Sequence, residues 1–102
     1  MSENRKFSVL MSVYVKENPV FLEEAVESII HQTLKPSEVV IVEDGPLTPE
    51  LYQVLEKLEA QSSIPIKRCP LEQNRGLGLA LQYGVLQCQY DVIARMDTDD
   101  IA

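Results

Sequence analysis

The sequence predicts an α/β fold: a four-stranded, mainly parallel sheet with helices on both faces. Three observations predict it. Short apolar runs rich in β-branched residues alternate with longer stretches of helical spacing. The run Val39 to Val42 is apolar without a break, as a strand covered on both faces should be. Two of the intervening segments open on helix-start signals, Asn18-Pro19 and Thr48-Pro49-Glu50.

The elements follow in order. Phe7 to Val15 (FSVLMSVYV) is apolar and aromatic, and reads as a buried first strand. Asn18 then caps a helix with Pro19 in its first turn; Glu23 and Glu24 are expected near its positive end. Phe21, Leu22, Ala25, Ile29 and Ile30 supply its apolar face, and Lys35-Pro36-Ser37 ends the segment. Val39 to Val42 is the second strand and runs into the turn Glu43-Asp44-Gly45-Pro46. The second helix starts at Thr48, with Leu51, Val54, Leu55 and Leu58 as its stripe. Ile64 to Cys69 is a short third strand, and Pro65 marks it as an edge strand. Asn74 to Gln89 forms the third helix despite Gly76, Gly78 and Gly84. Tyr90 to Met96 is the fourth strand and leads into Asp97-Thr98-Asp99-Asp100.

The resulting order, β-α-β-α-β-α-β, favours right-handed crossovers and an open parallel sheet. Ligands bind such sheets beyond the carboxyl ends of the strands, where the strand order reverses. With strand order 3-2-1-4, three groups meet along one rim: Ser12, Tyr14 and Lys16 after the first strand, Asp44 after the second, and Asp97, Asp99 and Asp100 after the fourth.

Composition narrows the function. The 102 residues suit one domain, taken as 1–102, and 45% hydrophobic with 25% charged residues is ordinary for a globular protein. The formal net charge of −7 argues against nucleic acid as a partner, since phosphate contacts need clustered Lys and Arg. It leaves room for a nucleotide held through a divalent cation. No apolar run reaches the ~18 residues of a membrane span, and the polar start does not read as a signal peptide. Cys69 and Cys88 have no zinc or disulfide spacing and read as buried thiols of a reducing cytoplasm.

Asp97-Thr98-Asp99-Asp100 is the sharpest local signal. Three carboxylates in four residues repel one another unless a cation sits among them, and hard oxygen ligands suit Mn²⁺ or Mg²⁺. A solvated acidic turn or a helix N-terminus is the competing reading. A P-loop is excluded for lack of Gly-Lys-Ser/Thr, and a dinucleotide fingerprint because Gly76-Leu77-Gly78 is incomplete and follows the third strand. His31, the only histidine, sits late on the first helix and reads as a surface side chain.

These pieces, in this order, resemble the family 2 glycosyltransferases. The resemblance rests on Phe7 to Tyr14, on Glu27 to Thr33 (ESIIHQT), and on Val39 to Gly45 (VVIVEDG). It continues through Asn74 to Ala80 (NRGLGLA) and Ala94 to Asp100 (ARMDTDD), so it covers nearly the whole chain. It implies a GT-A fold, a Rossmann-like sheet that binds a nucleoside diphosphate sugar, here UDP-linked. Position by position, it makes Ser12 and Tyr14 base- and ribose-lining residues and Asp44 the acceptor for the nucleobase. It places Arg75 near the diphosphate and makes Asp97 the first acid of an Asp-x-Asp motif, near the ribose. Asp99 is then the second acid, ligand to Mn²⁺ or Mg²⁺. Val15, Glu43 and Pro46 depart from the residues common at those places, which bears on donor and base specificity.

The resemblance also implies an acceptor, a glycan or lipid-linked species of surface polysaccharide assembly, bound by a half of the domain that would follow Ala102. The general base would lie there too, so this chain alone is expected not to transfer sugar. The full-length protein is expected in the cytoplasm, at the cytoplasmic face of the membrane. The fourth strand is expected to leave a bare sheet edge that invites self-association. From a different class, a non-catalytic nucleotide-binding module would use the same rim.

Overall fold

A computed structural model describes residues 6–96. Seven elements alternate along the chain: β1 (Ser8–Val13), α1 (Pro19–Ile30), β2 (Glu38–Glu43), α2 (Pro49–Gln61), β3 (Ile66–Pro70), α3 (Leu77–Gln87) and β4 (Ile93–Arg95). The strands form one sheet in the order β3-β2-β1-β4, and every pair is parallel.

Strand alternation assigns the side chains to two faces. Odd-numbered residues of β1 and β2 (Val9, Met11, Val13, Val39, Ile41) join the core under α1 and α2, together with Leu22, Val26, Ile29, Leu51, Leu55 and Leu58. Even-numbered residues face α3, where the buried cluster is only Leu10, Val40, Val42, Cys69 and Ala80. The sheet is thus covered on both faces, but unequally.

Local chemistry explains the helix starts. The Asn18 side chain accepts from the N–H groups of Val20 (2.8 Å) and Phe21 (3.3 Å), and Pro19 occupies the first turn, where its missing N–H has no intrahelical role. Thr48 Oγ1 accepts from Leu51 N–H at 3.2 Å, with Pro49 and Glu50 behind it. The expected dipole role of Glu23 and Glu24 does not hold. They fall past the first turn of α1, which has no acid, and Glu23 instead pairs with Lys57 of α2 at 2.6 Å.

Several boundaries differ from the sequence reading: β1 is Ser8–Val13 rather than Phe7 to Val15, β2 gains Glu38 and Glu43 at its ends, and α3 ends at Gln87 rather than Gln89. β3 begins at Ile66, one residue after Pro65, whose carbonyl accepts from Val39 N–H at 2.9 Å; proline can accept there though it cannot donate. α3 begins at Leu77 rather than Asn74, because residues 74–76 are bound to Asp44 instead of to a helical ladder. β4 is shorter than expected, Ile93–Arg95.

Gly84 has a packing reason. A Cβ there would collide with Leu10 Cδ1 and lie 2.8 Å from Val42 Cγ2, so α3 reaches the sheet only because this position lacks a side chain.

Candidate functional site

The rim at the carboxyl ends of β1 and β2 forms an open cleft of about 720 Å³. Ser12 and Tyr14 line it from the end of β1 and the residue just beyond. Lys16, Glu17, Asn18 and Phe21 come from the β1–α1 loop and the first turn of α1; Asp44, Asn74, Gly76 and Leu77 close the other side. Tyr14 and Phe21 are each more than 40% exposed, so two aromatic faces are open to a ligand. Lys16 brings a cation to the cleft, whose described lining also carries the acids Glu17 and Asp44.

Asp44 organises this side of the cleft. It follows β2 and is only 3% exposed. Its Oδ1 accepts from Arg75 N–H at 2.7 Å. Its Oδ2 accepts from Gly76 N–H at 3.1 Å and from Asn74 Nδ2 at 3.3 Å. The Asn74 amide also donates to the Asp44 carbonyl at 3.2 Å. Such bonds to a carboxylate are stronger than neutral ones. A carboxylate has about four lone-pair positions, and three are taken here by described donors. Among the described donors, none takes the second position on Oδ1. Gly45 permits the approach: its φ is +90°, and a Cβ on it would lie 2.7 Å from Asn74 N.

Glu43 points the other way, as alternation requires. It is buried and ion-paired with Arg68 of β3, which also bonds Glu59 of α2 at 3.2 Å. The Glu43 carboxylate accepts from Arg68 Nε, and this bond, with the weaker one to Glu59, raises the guanidinium pKa. Glu43 therefore serves the α2 side of the sheet and does not line the cleft.

The residues expected from sequence are distributed as follows. Ser12, Tyr14 and Asp44 converge on the cleft. Arg75 lies beside it, and its backbone N–H is what engages Asp44; the lining comes from its neighbours Asn74 and Gly76. Asp97 and Asp99 lie outside the described residues. β4 runs parallel to β1, with Met96 N–H donating to Leu10 O at 3.0 Å, so its carboxyl end points to the same rim. Among the described residues, no cluster of three His, Cys, Asp or Glu could hold a metal ion. Sequence reasoning missed Asn74, Phe21 and Leu77 as lining residues. The available signal was position near a helix start, since which of those side chains meets the cleft is set by tertiary contacts.

A parallel α/β sheet in the order β3-β2-β1-β4, with an open cleft at its switch point walled by a buried acid and a backbone loop, defines an α/β protein of the Rossmann-like class. The comparisons make the class particular: residues 8–102 match the model of Glycosyl transferase family 2, and the chain belongs to that family. It is 47% identical over 96 residues, 94% of its length, to the UDP-Gal:alpha-D-GlcNAc-diphosphoundecaprenol beta-1,3-galactosyltransferase of Escherichia coli, of which those residues make up 34%. Its fold superposes on Staphylococcus aureus TarS 1–349 in complex with UDP with a TM-score of 0.75 and 28% identity, over 92% of this chain and 27% of that one. It also superposes on the mannosyltransferase PcManGT of Pyrobaculum calidifontis in complex with GDP-Man and Mn²⁺, with a TM-score of 0.79 and 18% identity, over 95% of this chain and 29% of that one. The fold is thus the GT-A fold. The chain spans about a third of the length of the curated relatives it matches.

Proposed function

We propose that the chain carries the donor-nucleotide half of a glycosyltransferase, and that its cleft binds the uridine diphosphate of a UDP-linked sugar. The observation that carries this reading is the chemistry of the cleft wall: two open aromatic side chains and a buried carboxylate with one acceptor position that no described donor takes. A base can stack on Tyr14, and an imino N–H can donate to Asp44 Oδ1. A base without that donor would set lone pair against lone pair, which a buried acceptor penalises. Ser12 would face the base and ribose, and the 74–76 segment, Arg75 included, the diphosphate. The galactosyltransferase relative uses UDP-Gal by its name, and the TarS complex holds UDP.

Asp99 would hold a Mn²⁺ or Mg²⁺ ion, with Asp97 beside the ribose. The donor set fits: hard carboxylates grouped at the end of a strand that points to the rim. Such an ion supplies neutralisation of the charge that develops on the departing nucleoside diphosphate. The chain's own residues bind and orient the nucleotide; the general base and the acceptor contacts would come from outside this chain. The acceptor would be a glycan or lipid-linked intermediate of surface polysaccharide assembly, met in the cytoplasm at the membrane face. Among the described residues no helix is long and apolar enough to cross a membrane. This chain alone would transfer no sugar. It would self-associate through the β4 edge, beside which Val92 is exposed; a clean monomer by sedimentation at high concentration would count against that.

Calorimetric titration of UDP, with GDP as comparator, with and without Mn²⁺, tests the nucleotide reading. Mn²⁺-dependent UDP binding, lost in Asp99→Ala, is expected. No binding, or binding indifferent to both Mn²⁺ and Asp99→Ala, overturns it.

A further inference from the structure

α3 is held to the sheet in an unusual way. It is apolar nearly all round, yet only Ala80 and Gly84 are buried, while Leu77, Leu79, Tyr83, Val85 and Leu86 are exposed. The polar contacts lie at its two ends. At the start, Asp44 accepts from residues 74–76. Past the end, Glu38 Oε2 accepts from Gln89 N–H at 2.7 Å and Oε1 from Gln89 Nε2 at 3.3 Å. Ser8 Oγ on the neighbouring strand donates to the same Oε2 at 2.6 Å and fixes that carboxylate, which is 2% exposed. Lys67 Nζ adds a bond to Gln87 O at 3.1 Å.

Glu38 and Asp44 stand at opposite ends of β2, six positions apart, and so on the same face of the sheet. Six strand residues span about 20 Å. The eleven residues of α3 span about 16 Å, and the cap residues at each end close the difference. The two carboxylates thus bond the segments at both ends of one helix, across a seam whose buried apolar members among the described residues are Leu10, Val40, Val42, Cys69 and Ala80, with Leu71, Leu81, Cys88 and Ile93 partly buried against them.

We infer that Glu38 is a positioning residue for the cleft: from the far end of β2, it sets through Gln89 and α3 where Asn74, Gly76 and Leu77 stand. The effect on nucleotide affinity rests on the proposed function, whereas the effect on the 74–76 segment does not. Slackening the far clamp leaves α3 free to slide on Gly84, and the Asp44 bonds then open more often.

The test compares Glu38→Gln and the milder Gln89→Ala with Ile29→Val, a conservative core change on the opposite face. Glu38→Gln keeps the size but turns an amide –NH₂ toward the donors. Gln89→Ala alters only an exposed side chain and keeps a folded protein in the series should the first variant fail to fold. Amide hydrogen exchange at Arg75 and Gly76 is followed without nucleotide, and UDP affinity with Mn²⁺ by calorimetry. Glu38→Gln should speed exchange at those two amides about tenfold beyond Ile29→Val, and Gln89→Ala in the same direction by less. UDP affinity in Glu38→Gln should fall roughly three- to tenfold while Ile29→Val stays near wild type. Exchange at Arg75 and Gly76 that matches Ile29→Val in every folded variant overturns the inference. A chain that binds no UDP overturns the nucleotide reading instead, and leaves the clamp to be decided by exchange.

Discussion

The two faces of the sheet are built on different principles. Under α1 and α2, fifteen buried apolar side chains interlock among the described residues; Lys57–Glu23 links elements at the surface, and the Arg68–Glu43 pair is the buried polar link described on this side. Under α3 the buried apolar cluster has five members among the described residues, and buried carboxylates do much of the joining. Apolar burial is roughly proportional to area and has no direction, so the first face supplies stability. Hydrogen bonds are directional and satisfied only at defined positions, so the second face supplies placement. The cleft lies at the rim where the two faces meet, with the start of α1 on one side and the Asp44-bound segment before α3 on the other, so it draws on that placement.

If that division holds, damage to the two faces should read out differently. The largest effect should come from Leu55→Ala under α2: loss of about 2–5 kcal/mol of stability, by urea denaturation, with UDP affinity of the remaining folded protein near wild type. An equal loss of affinity would break the comparison. Asp44→Asn should cost less stability, about 1–3 kcal/mol, because one acceptor becomes a donor facing Arg75 and Gly76 N–H. It should nonetheless remove detectable UDP binding by calorimetry. Gly84→Ala should cost about 1–2 kcal/mol, overpacking against Leu10 and Val42 being offset in part by better helix propensity. A stabilised Gly84→Ala would mean that α3 has slack at this point.

The smallest effect concerns the thiols of the α3 face. Burial pushes both Cys69 and Cys88 up from the ordinary cysteine pKa, so less of each is thiolate at pH 8. Alkylation followed by mass spectrometry should be slower at both than at a free peptide thiol, and slower at the buried Cys69 than at the half-buried Cys88. Fast labelling of Cys69 would show that the thin face opens readily.

Much of this was legible in advance. The alternation of apolar runs and helical stretches determined the element order, because backbone periodicity and burial impose periods of 2 and 3.6 on any chain that folds. Asn18, Thr48 and the two prolines after them determined where α1 and α2 begin, since capping is a local reaction between neighbours. The family was legible as well, in the ordered runs from Phe7 to Asp100. Tertiary structure alone decided the rest. The Asn74–Gly76 stretch looks helical but is pulled off the helix by an acid thirty residues away. Glu38 stands just before the apolar run Val39 to Val42 and carries no local signal, yet it is buried and bonded to Ser8 and Gln89, far apart in sequence. Glu43 and Asp44 are adjacent acids, and the pleat sends one to Arg68 and the other to the cleft. Periodicity and caps are written within a few residues of where they act. The partner of a buried carboxylate is chosen only when distant strands come into register.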